Sequence, residues 1–407
     1  MQNRLALIFI LATVAIDSIG IGIIFPVMPD LMRQVTGASL ADAALWGGVL
    51  ATAFAAMQFL CGPVVGNLSD RFGRRPVMLV ALATMALDYL VMALAQSVWL
   101  LLAARIVAGA SAATYATAGA YVADISGPQD RARSFGLIGA AFGVGFVLGP
   151  LIGGAASLLD VRAPFVAAAA IAGANLLFGW LILPESLPQH RRRRITLARA
   201  NPFAAFRAIG HLPGLRRYLV VMFLYTMCFT AYPAVWSYFG TAQFGWDGWW
   251  NGLSLAIFGV FMALVQGLGV APATRRWGEE RTAVYGAAMH VLTFGFYGLV
   301  TSGFWALAFT PIAALGDVAG PALQGRMTNL TPDDQQGELQ GVIASVSAVA
   351  ATTSPLIMTW IFAHYTRVGA APHWPGAPFM LSAAIMAGVV LLLVAPTRAP
   401  SAPPTQI

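Results

Sequence analysis

The chain has 407 residues, of which 58% are hydrophobic and only 10% are charged, and its mean hydropathy is +0.74. A soluble domain of this length needs more polar residues than these to cover its surface. The composition therefore excludes an ordinary soluble protein and favours an integral membrane protein.

Apolar stretches of roughly twenty residues recur along the whole chain, and each is long enough to cross a hydrocarbon core about 30 Å thick. Because the backbone finds no water at that depth, each stretch is predicted to be helical. The first one carries Asp17 and ends without a small-residue cleavage site, so it is not a cleavable signal. We number the stretches spans 1 to 12: Leu5–Val27, Ala44–Val65, Val77–Ala95, Val98–Val122, Ser134–Leu158, Pro164–Leu183, Tyr218–Phe239, Trp249–Val270, Thr282–Val300, Phe304–Gln324, Leu339–Ala363 and Pro378–Val394.

All 23 basic residues are arginines, and they are distributed unevenly between the two sides of the predicted bundle. With a cytoplasmic N-terminus, nineteen fall in cytoplasmic segments, three in outer loops and one, Arg105, inside span 4. This bias follows the positive-inside rule and predicts that both termini are cytoplasmic. The net charge of +7 is thus explained by orientation, and we predict no nucleic-acid partner. We call the two sides the arginine-rich end and the arginine-poor end.

The chain divides into two related halves. Three features of the first half recur 205 residues later: Asp42 and Asp247, "DRFG" at 70–73 and "RRWG" at 275–278, and "GPLIGG" at 149–154 and "SPLIMT" at 354–359. Parallel repeats of six helices are typical of transporters that alternate access to a central cavity. We predict a first bundle over 1–183, a cytoplasmic linker over 184–217, a second bundle over 218–396 and a disordered tail over 397–407.

Five ionisable residues lie well inside predicted spans, where a charge costs about 2.5–3.5 kcal/mol on insertion scales. Such groups normally face a partner or a cavity, and buried carboxyls are suited to proton exchange. We predict proton coupling by this set, with Asp17 as the leading site: Asp17, Asp88, Arg105, His290 and Asp317. For Asp88, and for a pairing of His290 with Asp317, a purely structural role stays open.

Polar and aromatic residues on several spans are candidates for the cavity wall. An apolar cavity with a few polar groups suits a bulky amphiphile better than a sugar or an inorganic ion. The predicted substrate-binding residues are Gln58, Tyr115, Tyr225, Tyr232, Trp236, Gln266 and Gln324.

No pattern typical of an enzyme is present. The sequence lacks a phosphate-binding P-loop, so ATP is not predicted as the energy source. Its five histidines and two cysteines have no metal-ligand spacing. We therefore predict neither a metal centre nor an organic cofactor.

Three motifs carry a resemblance to the major facilitator superfamily. The loop between spans 2 and 3 reads "GNLSDRFGRRP", span 5 contains "GAAFGVGFVLGPLIGG", and span 4 contains "RIVAGASAA". Together with "DSIGIGIIFPVMPDLMR" and "ALDYLVMALA", the chain resembles the TetA-type tetracycline/proton antiporters of bacteria over nearly its whole length. The resemblance implies the major facilitator fold of two pseudo-symmetric six-helix bundles.

The resemblance implies two devices for conformational change. The loop motif would form a latch that locks the outward-facing state, although an ordinary positive-inside loop remains the alternative. Its residues are Gly66, Asp70, Arg71, Gly73, Arg74, Arg75, Asp124, Arg131 and Arg133.

The span 5 motif would seal a contact with span 11, although generic glycine packing is the alternative. Its residues are Gly139, Gly143, Gly149, Pro150, Gly153 and Gly154.

The resemblance also bears on the ionisable residues. Asp17 and Asp88 match acidic positions that TetA-type proteins use, and Arg105 would be the counter-charge of Asp17, either as part of the cycle or as a static ion pair. The chain departs from the family pattern at His290, where the family has an acid, at Met262 and at Asp317. These departures bear on whether tetracycline is the substrate and not on whether the protein is an antiporter.

The resulting expectation is a monomeric exporter in the bacterial inner membrane. It would expel a drug-like amphiphile in exchange for protons, with a divalent cation as a candidate companion chelated by the substrate. Two alternatives stay open: a proton symporter that imports a nutrient or an organic acid, and a membrane sensor that transports nothing.

Overall fold

The computed structural model describes residues 2–112, 114–127, 129–193, 201–204, 206 and 214–395. These residues form helices and connecting loops, with no β-strand among them. The predicted all-helical membrane fold is confirmed.

The helices are longer than the apolar stretches that predict them. Spans 1 to 6 are Gln2–Thr36, Leu40–Phe72, Arg74–Leu94, the pair Val98–Ser111 and Thr114–Ile125, Arg131–Ser157, and Ala163–Ile182. Spans 7 to 12 are Arg216–Phe244, Gly248–Leu264, a helix within Val270–Leu299, the pair Gly303–Ala314 and Ala319–Asn329, Gln336–Thr366, and Ala377–Val394. Several spans continue into the polar turns at either end, where water and charged side chains still permit a helix.

Eleven stretches of the described chain are long and apolar enough to cross a membrane, and one of them contains two spans. This stretch, Gly248–Leu299, has 52 residues, about twice what a bilayer needs. Gly278 divides it at φ 77°, a left-handed conformation that side chains with a Cβ resist. A five-residue π-helical turn, Val265–Gly269, continues span 8 before this break.

The break at Gly278 has its counterpart in the first half. Gly73 separates spans 2 and 3 at φ 110°, and it lies 205 residues before Gly278. The repeat detected in the sequence therefore corresponds to the same left-handed turn in both halves.

The two halves meet along two pairs of helices, span 2 with span 11 and span 5 with span 8. At the arginine-poor end these contacts are tight. Gly48 lies against Thr359 and Pro355, while Gly154 lies against Gly248 and Gly252. A side chain at either glycine would collide with the opposite half.

The same helices lack such contacts toward the arginine-rich end. Among the described residues, no atom of a neighbouring helix or side chain lies within 4 Å of the place a Cβ would take at Gly62, Gly66, Gly139 or Gly143. The described helices of the two halves thus meet at the arginine-poor end and separate toward the other.

The predicted contact of the span 5 motif with span 11 is wrong. Gly149 and Gly153 pack against span 1, where they meet Gly22 and Ile23, and Gly154 packs against span 8. Span 11 instead meets span 2 through Thr359 and Gly48. In this arrangement glycines on both partners let the backbones approach closely, as is usual in lipid.

Candidate functional site

A central cavity of about 320 Å³ lies between the two halves. The first half contributes Gln58, Tyr89 and Arg105, among mainly apolar neighbours. The second half contributes a face of span 7 with small residues, including Thr230 and Ser237. The charged and amide side chains of the cavity wall therefore belong to the first half.

A second cavity, of about 370 Å³, adjoins the first within the N-terminal half. Asp17 lines it together with Gln58, Thr114 and Tyr115. The Gln58 amide donates to the carbonyl of Ala112 at 3.2 Å, which fixes it at the break in span 4. The two cavities share Ile21, Phe54, Gln58 and Met85 as walls.

Arg105 pairs with Asp88, so the predicted pairing with Asp17 is wrong. The Nε atom of Arg105 donates to Oδ1 of Asp88 at 3.2 Å, and a second guanidinium nitrogen contacts Oδ2. Only 8% of Arg105 and 2% of Asp88 are exposed. Span 3 ends six residues after Asp88 and span 4 begins seven residues before Arg105, so this antiparallel hairpin brings the two residues to the same depth.

Asp17 consequently has no ion-pair partner among the described residues. It is half-buried on span 1, with one side toward the cavity. An unpaired carboxyl group at membrane depth is expensive to keep ionised. It is therefore suited to binding and releasing a proton or to meeting a cationic ligand.

The second half holds a buried His–Asp pair. The Nε2 atom of His290 on span 9 lies 3.6 Å from Oδ1 of Asp317, at the 3₁₀ turn inside span 10. Neither side chain has a hydrogen-bond partner among the described residues. The rings of Tyr225 and Phe294 lie about 6 Å from the imidazole, with centroid distances of 5.8 Å in both cases. The sequence therefore paired these residues correctly, but neither lines a cavity described above.

Tyr232 and Trp236 do not face the cavity, contrary to our expectation. Tyr232 stacks on Phe258 with centroids 5.2 Å apart, and the Trp236 indole donates to Ser254 at 2.8 Å. Both belong to the aromatic core of the second half. The opposite face of span 7 lines the cavity, with Thr230, Pro233, Ala234, Ser237 and Tyr238.

Of the other predicted wall residues, Tyr115 lines the second cavity beside Phe142 and is more than half exposed. The remaining three lie elsewhere. Tyr225 is buried beside His290. Gln266 is exposed within the π-helical turn. The amide of Gln324 donates to Gln340 of span 11 at 3.2 Å, away from both cavities.

The latch residues form ion pairs inside the first half. Arg74 contacts Asp70 at 2.6 Å and Asp124 at 3.3 Å, so it joins the loop to the end of span 4. Arg71 lies over the ring of Phe72 at 5.1 Å, and Arg133 is exposed. Asp70 thus pairs with Arg74 and not with Arg133, because Arg74 lies directly across the turn at Gly73. The side chain of Arg131 lies outside the described residues.

Glu185, which sequence reasoning missed, holds the latch from the linker. Its Oε1 accepts the backbone N–H of Arg74 at 2.8 Å and its Oε2 accepts that of Arg75 at 3.3 Å. The carboxylate therefore caps the N-terminus of span 3, where negative charge is favoured. It also lies against Gly73, at the place a Cβ would take. Its position in "LPESLP", directly after span 6, was the available signal.

Comparison with known proteins agrees with this geometry. The family model of the Major Facilitator Superfamily matches residues 10–316. The class C tetracycline resistance protein of Escherichia coli is 41% identical over 385 residues, covering 95% of each chain. The class G protein of Vibrio anguillarum is 35% identical over 359 residues, or 88% of this chain and 91% of that one.

Solved structures agree on the fold. The human organic anion transporter MFSD10 superposes with a TM-score of 0.71 at 24% identity, covering 96% of this chain and 99% of its own. A bacterial homolog of the human lysosomal transporter Spinster, solved inward-facing and unoccupied, superposes with a TM-score of 0.73 at 18% identity, covering 97% and 95%. The chain belongs to the major facilitator superfamily and, within it, to the family of the tetracycline resistance proteins.

Proposed function

We propose that the protein exports a tetracycline-type amphiphile in exchange for protons. The observation that carries this proposal is Asp17, an acid that lines the cavity of the first half and has no ion-pair partner among the described residues. Relatives that are 41% and 35% identical are named tetracycline resistance proteins. The proposed protein is an inner-membrane transporter that acts as a monomer and needs no organic cofactor.

The arginine-rich end is cytoplasmic in this proposal, with both termini on that side. The structure then represents the state that loads substrate from the cytoplasm. In this state the ion pairs of the latch stay within the first half, between Asp70, Arg74 and Asp124. In the outward-facing state, these residues contact the second half instead.

Protons drive the cycle through Asp17. Ionised Asp17 attracts a cationic or metal-chelated substrate from the cytoplasm, and protonation from the outer side weakens that attraction and releases the substrate. The proton then leaves toward the cytoplasm, down a gradient whose electrical part is worth about 2.3 kcal/mol per charge per 100 mV. His290 and Asp317 supply a second protonation site in the other half.

The cavity favours a substrate with two unlike edges. The first half offers the amide of Gln58 and the guanidinium of Arg105, whereas the second half offers only hydroxyl groups, from Thr230, Ser237 and Tyr238, among apolar side chains. A flat molecule with many oxygen atoms along one edge and a mainly hydrophobic opposite edge fits this wall. Tetracyclines have this chemistry.

Drug accumulation in living cells tests the proposal. Efflux-deficient bacteria that express the chain should hold less tetracycline than control cells, and a protonophore should remove the difference. An Asp17→Asn variant, which keeps the side-chain shape, should accumulate tetracycline as control cells do. If expression instead increases accumulation in a proton-dependent manner, the protein is an importer and the proposal fails.

A further inference from the structure

Tyr89 on span 3 carries a hydroxyl group that has no hydrogen-bond partner in the described part of the chain. Only 1% of the side chain is exposed, although it forms part of the wall of the central cavity. Its hydroxyl lies against Gly20 of span 1, where any Cβ would collide with it. Buried hydroxyl groups are nearly always paired, so this one requires an explanation.

Among the charged groups around Tyr89, one is available to accept a hydrogen bond from its hydroxyl. Asp88 is its neighbour on span 3, and Arg105 on span 4 occupies both carboxylate oxygens of Asp88. Span 6, which packs against span 3, has no charged residue, and the charges of span 2 lie at its two ends. On span 1, Asp17 lies one helical turn before Gly20, the residue that the hydroxyl touches.

The internal repeat supports a link between the two residues. An offset of 205 residues places Met222 at the position of Asp17 and Phe294 at that of Tyr89. The second half therefore lacks both the acid and the hydroxyl, while it retains the aromatic ring. An aromatic ring without a hydroxyl group is therefore sufficient for packing at this position of the second half.

We propose that Tyr89 is a positioning residue for proton exchange, whose hydroxyl donates a hydrogen bond to the Asp17 carboxylate, directly or through one water, when Asp17 is ionised. The bond forms as span 1 shifts during the cycle and is lost when Asp17 takes up a proton. It thereby sets the pH at which the transporter releases its proton. This inference rests on the proposed function.

Purified full-length protein in liposomes provides the test. The rate of tetracycline uptake driven by a pH gradient is measured against the pH on the substrate side, where Asp17 must lose its proton. A hydrogen bond to the ionised form favours proton release, so Tyr89→Phe should move the midpoint of this profile upward by about one pH unit, a tenfold change in proton affinity.

Tyr238→Phe is the matched control. Tyr238 on span 7 also has an unpartnered hydroxyl against a glycine, Gly47, but it lies in the other half. This variant should keep the wild-type midpoint, whatever happens to its rate. Replacing Tyr89 with 3-fluorotyrosine, a stronger donor of nearly the same size, should move the midpoint downward and serves if Tyr89→Phe does not fold.

Three results overturn the inference. The first is a wild-type midpoint in Tyr89→Phe together with proton-driven uptake at normal rates, and this result leaves the proposed function standing. The second is a shift in Tyr115→Phe without one in Tyr89→Phe, which assigns the donor to the other tyrosine near Asp17. The third is wild-type protein that takes up no substrate under a pH gradient, in which case the proposed function fails as well.

Discussion

At the scale of single residues, the arrangement of charges in the first half decides which acid is free. Arg105 forms a buried ion pair with Asp88, donates to the sulfur of Met92 at 3.0 Å, and lies 5.2 Å from the ring centroid of Phe54. Because this pair is enclosed, its members stabilise each other only while both are present. Asp17 therefore lines the cavity without an ion-pair partner among the described residues.

Removing one member of the Asp88–Arg105 pair should be worse than removing both. We expect Arg105→Gln to lose about 3–5 kcal/mol of stability, since it leaves a buried carboxylate without a partner. Arg105→Gln combined with Asp88→Asn should recover much of that loss. Thermal unfolding midpoints in detergent measure this difference, and a double variant less stable than either single variant would contradict a structural ion pair.

The His290–Asp317 pair makes a different prediction, because neither side chain has a hydrogen bond with another described residue that could be lost. Asp317→Asn should therefore retain the thermal midpoint of the wild-type protein. If the pair is a second protonation site, net uptake driven by a pH gradient should stop, while exchange of labelled for unlabelled substrate continues. Equal loss of both reactions together with a lower midpoint would indicate a structural pair.

At the scale of the helical elements, the two left-handed glycine turns differ in what surrounds them. Gly73 lies against the carboxylate of Glu185, while no described atom lies within 4 Å of the place a Cβ would take at Gly278. The described part of the linker thus supports the turn before span 3 and makes no such contact with the turn before span 9. Through Glu185, the segment that follows span 6 is joined to the latch.

Alanine at the two glycines tests that asymmetry. Both variants should be strained by roughly 1–2 kcal/mol, since alanine resists a positive φ. Gly73→Ala should in addition displace Glu185 from the N-terminus of span 3, and so lose more export activity than Gly278→Ala. Cellular tetracycline accumulation compares them directly. Equal losses would mean that the contact with Glu185 does not matter.

Much of the architecture could be predicted from the sequence, because hydrophobic length and the position of arginines are local signals. The 205-residue offset even located the turn at Gly278. The partner of Arg105 was missed because resemblance favoured Asp17, although equal depth in the hairpin of spans 3 and 4 pointed to Asp88. Tyr232 and Trp236 were misplaced because aromatic residues serve both a core and a cavity wall, and only packing between the halves distinguishes them.

At the scale of the whole molecule, one end of the interface is closed by small residues. Gly48 against Thr359 and Gly154 against Gly252 bring the backbones of the two halves together. Arg367 of the second half adds an ion pair to Asp42 of the first at 3.7 Å, on the same end. Alternating access requires these contacts to separate in each cycle.

A cross-link across the closed end should stop the cycle. Cysteines at Asp42 and Arg367, whose side chains pair across this end at 3.7 Å, in a chain in which Cys61 and Cys228 are replaced, should be joined by a short bifunctional maleimide that contains a reducible disulfide. Transport should cease and return with a reducing agent. Asp42→Cys alone is the control. Full transport by fully cross-linked protein would show that this end does not open.

Uptake into inverted membrane vesicles is the measurement that tests proton-driven export through Asp17 most directly. Respiration acidifies the interior of such vesicles, which corresponds to the outside of the cell. We expect tetracycline to accumulate inside vesicles that contain the wild-type chain, to leave when a protonophore is added, and not to accumulate with Asp17→Asn. Accumulation by Asp17→Asn at the wild-type level, or wild-type accumulation that survives the protonophore, would contradict the proposed mechanism.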